Sequence, residues 1–148
     1  MKKHILIAAA LALLLSSSLL FAAGPYQANG IKIGEVDQTG AIIWTRLTTV
    51  ETGNYQLVAG SAPGTNGEVR AEYWPQNDPA SAVASSWQAV DSSADYTLQF
   101  ELTGLTPDTG YELRVDARPL GGEFVSSTTT GSFHTAPEAA QITSVLFT

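Results

Sequence analysis

Cysteine is absent from all 148 residues, so no disulfide can staple the fold and no lipid-modified cysteine can anchor it. Basic side chains are scarce: 7 Lys and Arg stand against 14 Asp and Glu, a net charge of −7. A surface of that sign repels phosphate backbones, which speaks against nucleic acid as a partner. Histidine occurs only at His4 and His134. No Gly-rich phosphate loop, nucleophile elbow or metal-spaced His/Cys cluster is present. The chain also lacks an Asn-x-Ser/Thr acceptor, so nothing points to a glycosylated product. Beyond residue 30, helical periodicity is nearly missing.

The first residues have their own character. Lys2 and Lys3 form a basic head, residues 5–15 are wholly apolar, and Ala22, Ala23 and Gly24 supply small side chains. This three-part order predicts a secretory signal peptide over residues 1–23, with cleavage favoured after Ala22, and therefore a secreted or periplasmic product. Counting residues 16–23 as well, the stretch reaches the ~20 residues of a spanning helix, so an uncleaved anchor is the alternative. Cleavage would leave five basic against 14 acidic residues, a balance of −9, and no attachment to a membrane. About 125 residues then remain, enough for one domain with a modest core.

From Gly30 onward, short β-branched and aromatic runs are separated by Gly, Pro, Asn, Asp and Ser. Ile31, Ile33 and Val36 suggest a first strand, and residues 37–40 a turn. Residues 41–47 make a second strand with Ile42, Trp44 and Arg46 on one face and Ile43, Thr45 and Leu47 on the other. Residues 55–59, 96–102, 110–119 and 132–135 read as further strands. The stretch 61–90 reads as an elaborated edge: a strand at 68–74, Asn66-Gly67 as a hairpin turn, and Trp74 and Trp87 as packing lids. Strands at this spacing predict an all-β antiparallel sandwich.

Leu102-Thr103-Gly104-Leu105-Thr106-Pro107-Asp108-Thr109-Gly110-Tyr111 is the most specific local pattern. In such a run Leu105 plugs the core, Pro107 fixes the turn, and the Tyr111 hydroxyl bonds upstream backbone where the chain crosses between sheets. It resembles the tyrosine corner of immunoglobulin and fibronectin type III-like domains. A second run, from Gly34 through Ala41-Ile42-Ile43-Trp44-Thr45-Arg46-Leu47, resembles the opening of the N-terminal domain of PhoD-like alkaline phosphatases and phosphodiesterases. A related sandwich precedes the catalytic domain of purple acid phosphatases. The closing Gly131-Ser132-Phe133-His134-Thr135-Ala136-Pro137 is similar to that family's exit into its linker, while Gly34-Glu35-Val36-Asp37 departs from its commoner Ser-Gly-Asp-Pro turn.

The resemblance implies a non-catalytic domain over residues 24–136. Residues 137–148 would then be a linker and the first strand of a metallophosphatase domain that is the sandwich's partner. The chain is accordingly expected to be the leading part of a longer, secreted hydrolase. Divalent metals are expected only in that absent domain, since a two-metal site needs several converging Asp, His and Asn ligands. No catalytic, cofactor or metal residue is expected in this chain.

Single residues admit competing roles. Trp44 reads as core, Arg46 as solvated or paired with a carboxylate, and His134 as a surface or interface residue. Asp91-Ser92-Ser93-Ala94-Asp95 is rich in oxygen but lacks the glycine and glutamate of a calcium loop, and suits a turn. Tyr73, Trp74 and Trp87 are the candidate aromatic patch. If contiguous, they would suit a free-standing fibronectin-like module that binds carbohydrate or protein. A repeat-type adhesion protein is disfavoured by the single copy.

Overall fold

The computed structural model describes residues 24–53 and 62–138. The expected signal segment, the expected strand at 55–59 and the expected terminal strand from Ile142 lie outside them. Among the described residues, eight strands form two antiparallel sheets. The first sheet holds β1 (Ile31–Gly34), β2 (Gly40–Arg46) and β6 (Thr97–Thr103), ordered β1-β2-β6. The second holds β3 (Glu68–Pro75), β7 (Gly110–Arg118) and β8 (Ser127–His134), with β4 (Val83–Ala84) and β5 (Gln88–Ala89) both pairing with β3. Two single 3-10 turns, Pro79–Ser81 and Ser92–Ala94, are the helical elements among the described residues.

Period-two alternation builds the core. Ala41, Ile43, Thr45 and Leu47 point inward from β2 and its end, Phe100 and Leu102 from β6, Val69 and Ala71 from β3, and Tyr111, Leu113, Val115 and Ala117 from β7. Each large apolar side chain buried this way contributes about 1.5–3 kcal/mol. Thr45 is the polar exception, and it is satisfied: its hydroxyl donates to Gln27 Oε1 at 2.9 Å, while Gln27 Nε2 donates to the Val115 carbonyl at 3.0 Å. One glutamine thus ties the two sheets together through the interior without leaving an unpaired buried group.

Three expectations need correction. Trp44 shares a face with Ile42 and Arg46, as the alternation implied, but that face is the outer one. The ring is half-buried, with Lys32 Nζ 5.5 Å from its centroid. The inward register of β2 is taken by Ala41, Ile43, Thr45 and, past its end, Leu47, so the alternation leaves the indole on the outer face. The expected strand at 68–74 is β3, which pairs with β7 along its full length, and the expected edge is made by the short β4 and β5 on its other side. Asn66-Gly67 is not a hairpin turn, since Gly64 bridges Thr48 and the chain runs straight on into β3. Gly67 is required there for closeness, because a Cβ would sit 2.7 Å from both Leu47 Cδ1 and Pro25 Cγ. Finally, β8 begins at Ser127 rather than near Ser132, because Ser127-Thr128-Thr129-Thr130 pairs with β7 despite lacking an apolar alternation.

The registers define two poles. Gly40, Thr103, Pro75, Gly110 and His134 meet at one end, where the chain leaves the sandwich. Arg46, Thr97, Glu68, Arg118 and Ser127 meet at the other, near Pro25.

Candidate functional site

At the exit pole, three segments converge on one threonine. Leu105 is buried, and its N–H donates to the Thr39 carbonyl at 2.9 Å. Pro107 then presets the backbone for Asp108, whose φ of 49° reverses the chain. The Tyr111 hydroxyl accepts the Thr106 N–H at 2.9 Å, the bond expected of the corner. Its ring packs between Phe133, 5.5 Å away and nearly parallel, and Tyr73 at 6.3 Å.

Thr135 is fully buried beside this corner. Its hydroxyl donates to the Thr106 carbonyl at 2.7 Å and accepts the Thr109 N–H at 3.0 Å, and its own N–H donates to the Thr109 carbonyl. The Ala136 N–H donates to the Asp37 carbonyl at 2.9 Å, and Gln38 Nε2 donates to the Pro137 carbonyl at 3.1 Å. The Asp37 carboxylate holds its own turn by accepting the N–H groups of Thr39 and Gly40. The segment after β8 is therefore clamped from both sides. Sequence reasoning missed Thr135 and Gln27; a lone polar residue in an inward register is the signal that marks such groups.

His134 and Asp108 pair at 3.0 Å on the exposed rim of this pole. Among the described residues no three His, Cys, Asp or Glu side chains are grouped to hold a metal ion. The hydrogen bonds of this pole hold residues 135–137 in place from two sides.

Arg46 is paired, as expected. It donates to both carboxylate oxygens of Asp95 at 3.0 Å, to the Ala62 carbonyl at 2.7 Å and to Asn29 Oδ1 at 3.2 Å. Hydrogen bonding from Arg46 holds the Asp95 carboxyl below its ordinary value. Asp91 is lowered too, by the Ser93 backbone N–H and then its side chain. Both carboxylates of the oxygen-rich segment are thus committed to holding loops in place.

The three candidate aromatics do not form one patch. Tyr73 packs toward the core, whereas Trp74 occupies the opposite face of β3 beside Glu112. Trp87 covers Arg118 and Arg70, with guanidinium carbons 4.1 and 4.9 Å from its ring centroid. Beneath it, β3 and β7 pair opposite charges rung by rung: Glu68 with Arg118, Arg70 with Asp116, and Glu72 with Arg114. Asp116 is buried and also accepts from the Thr128 hydroxyl at 2.8 Å.

Two facing antiparallel sheets, ordered β1-β2-β6 and β4-β3-β7-β8 and joined through a tyrosine corner, define an immunoglobulin/fibronectin type III-like β-sandwich. The chain belongs to the family of PhoD-like phosphatase N-terminal domains, whose signature matches residues 20–137. Comparison with curated proteins gives no match. Among solved structures, that of PhoD is 21% identical with a TM-score of 0.55, covering 77% of this chain and 20% of that one. The sensor domain of the anti-sigma factor RsgI4 from Pseudobacteroides cellulosolvens is 19% identical with a TM-score of 0.50, covering 80% of this chain and 85% of its own. A computationally redesigned β-sandwich is 22% identical at a TM-score of 0.50, with 73% and 92% covered. At these identities the likeness concerns the fold. This chain spans one fifth of the PhoD structure's length.

Proposed function

We propose that the sandwich is the non-catalytic, N-terminal accessory domain of an exported, PhoD-like metal-dependent phosphatase or phosphodiesterase. The family match over residues 20–137 carries this reading. The clamped exit at Thr135, Ala136 and Pro137 supports it, since a rigid outlet is what an accessory domain needs to hold a following domain in place. Phosphate-ester chemistry is assigned elsewhere in the protein. The candidate ligands here are engaged in turns and ion pairs: Asp91 with Ser93, Asp95 with Arg46, Asp108 with His134. These residues do not fit a two-metal centre. Export rests on the order of residues 1–23.

The test is direct. The full chain, assayed on p-nitrophenyl phosphate and its diester with calcium, manganese or zinc added, is expected to give no turnover above buffer. Turnover abolished by a chelator would refute the non-catalytic role. Reading the gene downstream of residue 148 should reveal a metallophosphatase frame, and its absence would count against the accessory role.

A further inference from the structure

The loop 119–126 joining β7 to β8 is unlike the rest of the surface. Of the four large exposed apolar side chains among the described residues, Leu120, Phe124 and Val125 lie in it; Phe124 is 76% and Leu120 64% exposed. Nothing in the loop's own structure requires them to be apolar. Gly121, at φ 66°, and Gly122, whose N–H donates to the Pro119 carbonyl, form the turn and hold Leu120 and Phe124 out from the body. An exposed aromatic and two exposed aliphatics side by side mark a contact surface.

Position identifies what that surface meets. The Ser126 hydroxyl donates to the Pro25 carbonyl at 2.7 Å, so the loop is bonded to the point where the described chain begins. A groove lined by Gly24, Pro25, Thr49, Pro119 and Leu120 joins the two. Directly upstream of Gly24 stand the 23 residues whose apolar run, with Lys2 and Lys3 at its head, is fit to occupy a bilayer. Any membrane holding residues 5–23 would lie against this pole. The exit pole is one β7 length away, roughly 25 Å at 3.3 Å per residue.

We infer that Leu120, Phe124 and Val125 enter the interfacial layer of the lipid bilayer while residues 1–23 remain attached, seating the sandwich with its exit pole directed away from the membrane. The inference does not depend on the phosphatase reading. Charge selects the lipid. Glu123 in the loop, with Glu51 and Asp91 at the same pole, opposes anionic headgroups, while Arg118 and Arg46 are occupied by Glu68 and Asp95. The contact is therefore apolar and favours zwitterionic lipid.

Because the chain has no cysteine, one can be placed at will. Full chain carrying Glu123→Cys or, at the far pole, Asn77→Cys is labelled with an environment-sensitive fluorophore. It is then bound to phosphatidylcholine vesicles containing nitroxide lipid. The label at 123 should shift to the blue and lose emission, and the label at 77 should do neither. Adding Leu120→Ser and Phe124→Ser should restore the emission at 123 while the chain stays bound through its N-terminal segment. An unchanged melting midpoint would show these exposed substitutions to be structurally silent. The inference is overturned if the two labels behave alike, if the serine pair leaves quenching intact, or if the full chain does not bind.

Discussion

Tyr111 shows how one atom supports a sheet crossing. Its hydroxyl is the partner of the Thr106 N–H, so Tyr111→Phe keeps the stacked ring and removes only the acceptor. The expected loss is about 1–3 kcal/mol, read as a lowered urea midpoint with an unchanged slope. An unmoved midpoint would show that water replaces the bond at no cost. Asp116 is the opposite case, a buried acid that arginines and a threonine converge on. Asp116→Ala leaves Arg70 and Arg114 facing each other across the strands, with a loss of about 3 kcal/mol. That is the low end for a broken buried pair, because both arginines stay partly wetted. Asp116→Asn, which still accepts from Thr128, should lose less, and equal losses would show that the charge itself contributes nothing. Tyr111 and Leu105 were legible in the sequence because spacing alone dictates their roles. Trp44 was not: alternation divides β2 into two faces without saying which is inner, and hydrophobicity pointed the wrong way. Alternation puts Asp116 on the outward face of β7, and only the register that brings Arg70 opposite it explains its burial.

At the scale of elements, the weak place is the broken edge formed by β4 and β5. Each is two residues long, and between them the Ser85 hydroxyl accepts the Ala71 N–H that a continuous strand would have bonded through its backbone. A short, interrupted edge of this kind resists pairing with other chains. Trp87 holds it down by lying on Arg118 and Arg70. Trp87→Ala should therefore cost about 1 kcal/mol and speed amide exchange at Gln88, Ala89 and Val90, leaving β7 protected. Uniform acceleration across both sheets would instead make Trp87 part of the global core. The sequence marked this region as an elaborated edge but not β4 and β5 themselves, because its composition carries no period: Ala80, Ser81, Ala82, Val83, Ala84 and Ser85 suit almost any backbone. β3 itself was legible at residues 68–74, but not its charged outward face, which partners on β7 make half-buried.

For the whole molecule, the governing fact is acidity: 14 carboxylates on a chain of 148 residues. Acid relieves their mutual repulsion, yet it also removes the particular carboxylates that hold loops at the Pro25 pole. Asp91 and Asp95 both titrate below the ordinary value of about 3.8 when folded, Asp91 through Ser93 and Asp95 through Arg46. A depressed folded value means that protons bind the unfolded chain more readily. The stabilisation is therefore complete above the ordinary value and disappears as pH falls through the folded one. The variant Asp91→Asn with Asp95→Asn should melt lower than the parent at about pH 7, and the gap should close below about pH 3.8, where the parent loses the same contribution. Both groups are exposed, so the effect is small and shrinks in high salt. A gap that stays constant from neutral to strongly acid pH would mean that the two carboxylates act only through shape. Arg46 would then be held by Ala62 and Asn29 rather than by charge.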